Sequence, residues 1–181
     1  SVSDSDSPGF LTFHTTPDGS DSFEERMRIN SRGNVGIGVV PGETNTNHDC
    51  LQIGGNGSIL SYGTQGASGE MDINHNVLYN QAGNYVYIST DEATRYRQSS
   101  GKHLWYVAAS GTAGNTISFS EAMQINNSGY VGIGTDSPEG PFHVHSPDGA
   151  AYDGYTMTVK NLEDTNNKGN TLYVYGGTGA S

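Results

Sequence analysis

The sequence predicts a mainly β protein of small tandem β-hairpin or β-sandwich-like modules, completed by other copies of the chain. Three observations carry that reading. A stretch of twelve residues occurs twice. Its apolar residues alternate with a period of two. The chain also holds too few aliphatic residues to fill a large core by itself. The stretch Met27-Arg28-Ile29-Asn30-Ser31-Arg32-Gly33-Asn34-Val35-Gly36-Ile37-Gly38 returns as Met123-Gln124-Ile125-Asn126-Asn127-Ser128-Gly129-Tyr130-Val131-Gly132-Ile133-Gly134, at an offset of 96 residues. Self-similarity at a fixed spacing marks a repeated structural unit.

Each copy reads as a β-hairpin. With the turn at Ser31-Arg32-Gly33, Asn30 faces Asn34, Ile29 faces Val35 and Met27 faces Ile37. The four apolar side chains then share one face, as the alternation of a strand requires. A three-residue hairpin loop needs its last residue in the left-handed region, where glycine carries no steric cost, so Gly33 and Gly129 are expected at positive φ. The other face carries Arg28, Gly36 and Gly38, or Gln124, Gly132 and Gly134. Glycine in a strand signals close approach by something else. The expectation is that another backbone, that of another chain, lies against these glycines.

Composition leads to the same place by a second route. Leu, Ile, Val and Phe make 32 of the 181 residues, roughly 18%, under the level of about 20% at which a charged chain risks disorder. Net charge is −11, and glycine accounts for 26 residues. Hairpin periodicity and 11 tyrosines argue for order. A fibrous oligomer resolves the tension, because copies bury between them the area that one chain cannot. Eight Lys plus Arg against 19 Asp plus Glu disfavour nucleic acid as a partner. The same imbalance disfavours docking on an anionic bilayer, and no apolar run reaches membrane-spanning length. Cys50 alone permits no disulfide within the chain and reads as a small buried strand residue.

In order, residues 1–53 form a first module. Ser1 to Ser7 is a linker, and Phe10 to Thr16 a strand. Pro17-Asp18-Gly19-Ser20 is a turn. Phe23 to Ile29 admits a short helix, but the hairpin it feeds favours strand. Val39 to His48 is a loop, and Leu51-Gln52-Ile53 closes the module. Residues 54–145 form a second module with an inserted aromatic segment. Gly54 to Gly69 reads as irregular. Strand signals follow over Met71 to Tyr79, broken at Asn74 and Asn76, then over Tyr85 to Ile88, Thr94 to Gln98 and Leu104 to Val107. Phe142-His143-Val144 repeats the role of Leu51-Gln52-Ile53 after a connection five residues shorter. A third unit starts in residues 146–181 and stops in mid-pattern, which reads as a cut through a longer protein.

Chemistry-bearing constellations are sparse. Glu24-Glu25, Asp91-Glu92 and Glu163-Asp164 are adjacent carboxylates, which on strands point to opposite faces. Glycoside cleavage needs two carboxylates at a set separation, which a sequence does not display. No calcium loop, phosphate cradle or nucleophile elbow is present, and no catalytic residue is assigned. The aromatic concentration is Trp105 and Tyr106 with Tyr85, Tyr87 and Tyr96; Tyr130, in place of Asn34, is expected to expose its ring. Such rings either stack on a sugar or fill a core or an interface.

At the repeated stretch a resemblance enters. "ERMRINSRGNVGIG" and "EAMQINNSGYVGIGTDSP" resemble the repeat of bacteriophage tail fibres and related receptor-binding fibres, and the segment from Leu78 to Ile125 resembles what precedes that repeat in such fibres. The resemblance spans about residues 10–145. It implies an elongated homotrimer with intertwined chains, mounted on a virion beside tail or baseplate proteins and attached to a host glycan or protein receptor. Trp105, Tyr106 and Tyr130 become receptor-contact candidates. It also implies a use for His143-Val144-His145. Residues two apart on a strand point the same way, so three chains around an axis would gather six imidazoles, a set suited to a transition metal. A plain alternative leaves His143 facing solvent and His145 opening the next loop. Such fibres often end in a self-cleaving trimerisation domain, and either that domain or a receptor-binding tip is expected beyond Ser181. A fragment of a polysaccharide-degrading tailspike and a bacterial surface adhesin built on the same module are the competing expectations.

Overall fold

The structure, a computed structural model, describes residues 9–63 and 68–145. The expected linker at Ser1 to Ser7 and the third unit in 146–181 lie outside the described residues. Among these there is no helix. Strands alternate with turns: β1 (Leu11–Thr15), β2 (Glu24–Ile29), β3 (Val35–Ile37), β4 (His48–Ile53), β5 (Gly57–Tyr62), β6 (Glu70–His75), β7 (Val77–Tyr79), β8 (Tyr85–Tyr87), β9 (Asp91–Ser99), β10 (Lys102–Gly111), β11 (Ser120–Ile125), β12 (Val131–Ile133) and β13 (Phe142–Val144).

Eleven strands form one open sheet in sequence order, with β7 and β8 lifted out as a separate two-stranded ribbon. Neighbours are antiparallel except for β3 with β4 and β12 with β13, which run parallel. The sheet continues through residues 53–54, where the two modules were expected to meet, because β4 and β5 form a hairpin there.

The hairpin register is the one read from the sequence. Met27 lies opposite Ile37, and Ile29 opposite Val35; Met123 lies opposite Ile133, and Ile125 opposite Val131. Gly33 and Gly129 close the turns at φ 84° and 80°. In each turn an asparagine side chain does the local work. Asn30 Oδ1 accepts from the N–H groups of Arg32 and Asn34, both at 3.0 Å, and Asn126 Oδ1 accepts from Ser128 and Tyr130 at 3.0 and 2.9 Å. These Asx turns close each loop through side-chain hydrogen bonds.

The repeat extends further than the twelve residues. Phe13 pairs with Met27 and Trp105 with Met123, and in both ladders a bulge follows at once. The extra residue is Arg26 in one copy and Ala122 in the other, and its carbonyl accepts from Gly38 or Gly134 at 2.8 or 3.0 Å. A third hairpin of the same kind joins β7 to β8. There Asn80 O accepts from Gly83 N–H at 3.1 Å, Asn80 Oδ1 accepts from Asn84 N–H at 3.0 Å, and Gly83 has φ 84°.

Three expectations are corrected. The stretch from Gly54 to Gly69 is not wholly irregular, because Gly57 to Tyr62 pairs on both sides as β5. Asn74 does not break its strand; only Asn76 does, at φ 61°. The backbone that approaches Gly36 and Gly132 belongs to this chain. Gly38 and Gly134 have φ 67° and 72°, lie beyond the strand ends, and let the chain fold back over the preceding glycine. A Cβ on Gly36 would sit 2.2 Å from Val39 O, and one on Gly132 would sit 2.7 Å from Thr135 O.

The folded-back loops and the ribbon cover one face of the sheet. Asn34, fully buried, pins the first loop: its Nδ2 donates to Gly42 O and Thr44 Oγ1, and its Oδ1 accepts from Cys50 N–H. The ribbon packs Val77 and Tyr87 over Ala93, Ala108 and Ile117 in a small apolar cluster.

Candidate functional site

The sheet distributes its residues in an unusual way. Following the cross-strand register places Phe13, Met27, Ile37, Ile53, Ile59 and Ile73 on one face in a continuous row of strands. The same face continues through Tyr96, Trp105, Met123, Ile133 and Val144. Among the described residues nothing covers this face. Ile73 remains 48% exposed and Phe142 61%. The opposite face, under the loops and the ribbon, buries His48, Gln52, Ser58, Asp72, Asn74 and Arg95. Burial is therefore inverted: polar side chains lie beneath the chain's own cover, and the apolar stripe faces outward. Contiguous apolar area on that scale marks an interaction surface.

The aromatic candidates separate across the two faces. Trp105 lies on the open face with Tyr96 at 5.1 Å between ring centroids and His103 at 6.4 Å. Tyr106, its neighbour on the strand, points the other way and meets Phe119 edge-on at 6.0 Å. Tyr130 is half-buried rather than exposed, and the structure joins it to neither.

Beneath the ribbon lies a charge network that the sequence did not single out. Asp72, 2% exposed, receives a two-pronged contact from Arg97, Nε to Oδ1 at 2.8 Å and a terminal nitrogen to Oδ2 at 2.9 Å. Glu70 pairs with the same guanidinium at 2.8 Å, and the Tyr85 hydroxyl joins Arg97, Asp72 and Glu70. Burial opposes the charge on Arg97, but Asp72 and Glu70 outweigh it and raise its pKa. Burial, reinforced by Asp72, likewise raises that of Tyr85. Arg95 is held by ring faces instead, with its guanidinium 4.3 Å from both Tyr106 and Phe119 and 4.6 Å from Tyr85. Its Nε has no hydrogen-bond partner among the described residues.

His143 and His145 have ring centroids 6.0 Å apart with planes at 86°. His143 is half-buried in the middle of β13, and His145 is exposed just past it. That separation allows both to reach one ion, each nitrogen about 2 Å from it. Among the described residues, no group of three or more His, Cys, Asp or Glu gathers as a metal shell. Cys50 is buried and its thiol is pushed up to about 11, which leaves it protonated and inert.

No family model matches the chain, and no curated protein matches it.

Proposed function

We propose that this chain is a structural and adhesive segment of a bacteriophage tail fibre, assembled as a homotrimer and used in host attachment. The observation that carries the reading is the uncovered apolar face on a sheet whose polar face is already covered. Such a surface is stable in water only when another surface lies on it, and further copies of the chain present the same stripe. The repeated Asn-x-x-Gly hairpins and their Gly-x-Val-Gly-Ile-Gly continuation support the fibre reading through their resemblance to such repeats. The segment works by shape and adhesion rather than by catalysis. It sits on the virion with tail or baseplate proteins, and it holds an axial metal only if β13 of three copies converges.

Immunogold electron microscopy with antibodies against the chain tests the placement. Label along the tail fibres of particles is the expected result. Particles without label, with label on bacterial surfaces instead, would favour an adhesin. Turnover of capsular polysaccharide by the purified chain would favour a tailspike fragment.

A further inference from the structure

The covered face holds a cleft that the open face does not account for. His48, Tyr62 and Glu70 are successive cross-strand partners at one end of β4, β5 and β6, and all three point to the covered side. The paired residues Tyr79 and Tyr85 of the ribbon stand over them. Asn45 and Asn47, from the loop before β4, close a third side around a cleft of about 260 Å³.

We propose that this cleft binds one ring of a neutral sugar. The proposal rests on the attachment reading for why a sugar would be met, while the site itself is argued from its own geometry. Rings set the walls. His48 stacks on Tyr79 at 3.8 Å with planes 23° apart and lies 4.8 Å from Tyr62, and Tyr79 meets Tyr85 edge-on at 4.7 Å. Tyr62 stays 42% exposed, so it offers a ring at the mouth rather than in a core. The negative π-face of a tyrosine suits the slightly positive C–H side of a pyranose.

Polar groups set the rim. Asn45 Oδ1 accepts from Asn47 N–H at 3.1 Å and lies 2.8 Å from His48 Nδ1, which orients the amide and leaves its Nδ2 as the donor for a ligand hydroxyl. Glu70 supplies an acceptor; it and Asp72 share the single charge of Arg97, each at 2.8 Å. Burial lowers the pKa of His48. The cleft's mix of rings, amides and one carboxylate offers donors and acceptors to hydroxyls and is a poor match for a purely apolar guest. Its volume is below the range of about 300 to 1,000 Å³ typical of larger ligands, which limits the guest to a single ring.

Saturation-transfer NMR on the whole chain with glucose, galactose, mannose and N-acetylglucosamine, each alone, tests the site; tetramethylammonium serves as the cationic control. At least one sugar should bind in the millimolar range. Tyr62→Ala and Asn45→Ala should each weaken that binding by about tenfold, while Phe23→Ala, at an exposed ring outside the cleft, leaves it unchanged. Tyr62 is exposed and Asn45 half-buried in a loop, and circular dichroism confirms that the fold persists. Absence of transfer from all four sugars would overturn the proposal. So would transfer unaltered in both variants, loss with Phe23→Ala, or binding of tetramethylammonium alone. Sugar binding by a chain absent from viral particles would leave the site standing and remove the fibre reading; label on the fibres without sugar binding would do the reverse.

Discussion

Phe13 and Trp105 occupy the same place in the two copies of the repeat. Each stands opposite a methionine on the following strand, each is followed by a bulge, and each lies on the open apolar face. A bulky ring at that position is conserved in shape while its neighbours change, so its work belongs to the face rather than to the chain's own core. Phe13→Ala and Trp105→Ala should therefore weaken association between copies while leaving the single chain's strands intact. The check is the thermal midpoint at several concentrations: its dependence on concentration should shift, because association stabilises by mass action.

The glycines under the folded-back loops make a sharper demand. Gly36→Ala places a methyl 2.2 Å from a backbone oxygen that only a shift of the loop can relieve. The expected loss is about 3 kcal/mol, at the upper end for overpacking. Gly33→Ala meets nothing within 4 Å and suffers only from its φ of 84°. It should lose about 1 to 2 kcal/mol. Urea unfolding of the two variants measures the difference.

Asp72 is the buried anchor of the charge network. Asp72→Asn removes one of the two carboxylates on Arg97 and leaves Glu70 paired with the guanidinium at 2.8 Å, so the cost is that of weakened buried charged hydrogen bonds, about 1 to 3 kcal/mol, rather than of an unpaired charge. Glu24→Gln breaks a pair with Arg26 whose side chains are 53% and 48% exposed. An exposed pair contributes about 0 to 1 kcal/mol. Denaturant midpoints should rank the two variants clearly apart.

Acid should weaken the covered face at His48. Burial holds its imidazole below the usual histidine value, more strongly than nearby Asp72 raises it. The unfolded chain therefore binds the proton first, at about pH 6.5. Stability from this group is complete above that pH, falls as the pH drops toward the lower folded value, and is flat below it. Thermal melts from about pH 7 to about pH 5 should show a decline that His48→Gln reduces.

Much of this was legible in the sequence. The alternation of Met27, Ile29, Val35 and Ile37 set the hairpin's register, and Phe142 to Val144 was matched in role to Leu51 to Ile53, although its parallel pairing with β12 was not foreseen. Alternation alone does not say which face a chain covers with its own loops, so the apolar residues were assigned correctly to one face while the approach to Gly36 was assigned to another chain. Strand β5 escaped because glycines at 54, 55 and 57 announce a turn, and the turn takes only residues 54–56 with the strand starting at Gly57 itself. The Asn80 to Asn84 hairpin repeats the Asn-x-x-Gly pattern of the other two, a signal present but masked by tyrosines in place of the Gly-x-Gly ending. The cleft was not legible, since His48, Tyr62, Glu70 and Tyr79 are brought together only by register.

The central claim is that the open apolar face lies against further copies of this chain. Sedimentation equilibrium of the native chain, with Ile73→Asp beside it, tests that most directly, because Ile73 is exposed in the single chain and its replacement disturbs no core. The expected result is a mass about three times 19.2 kDa or larger for the native chain, and dissociation in the variant, where association would bury an unpaired carboxylate in every copy. A native chain sedimenting at 19.2 kDa with its strand signature intact would contradict the account.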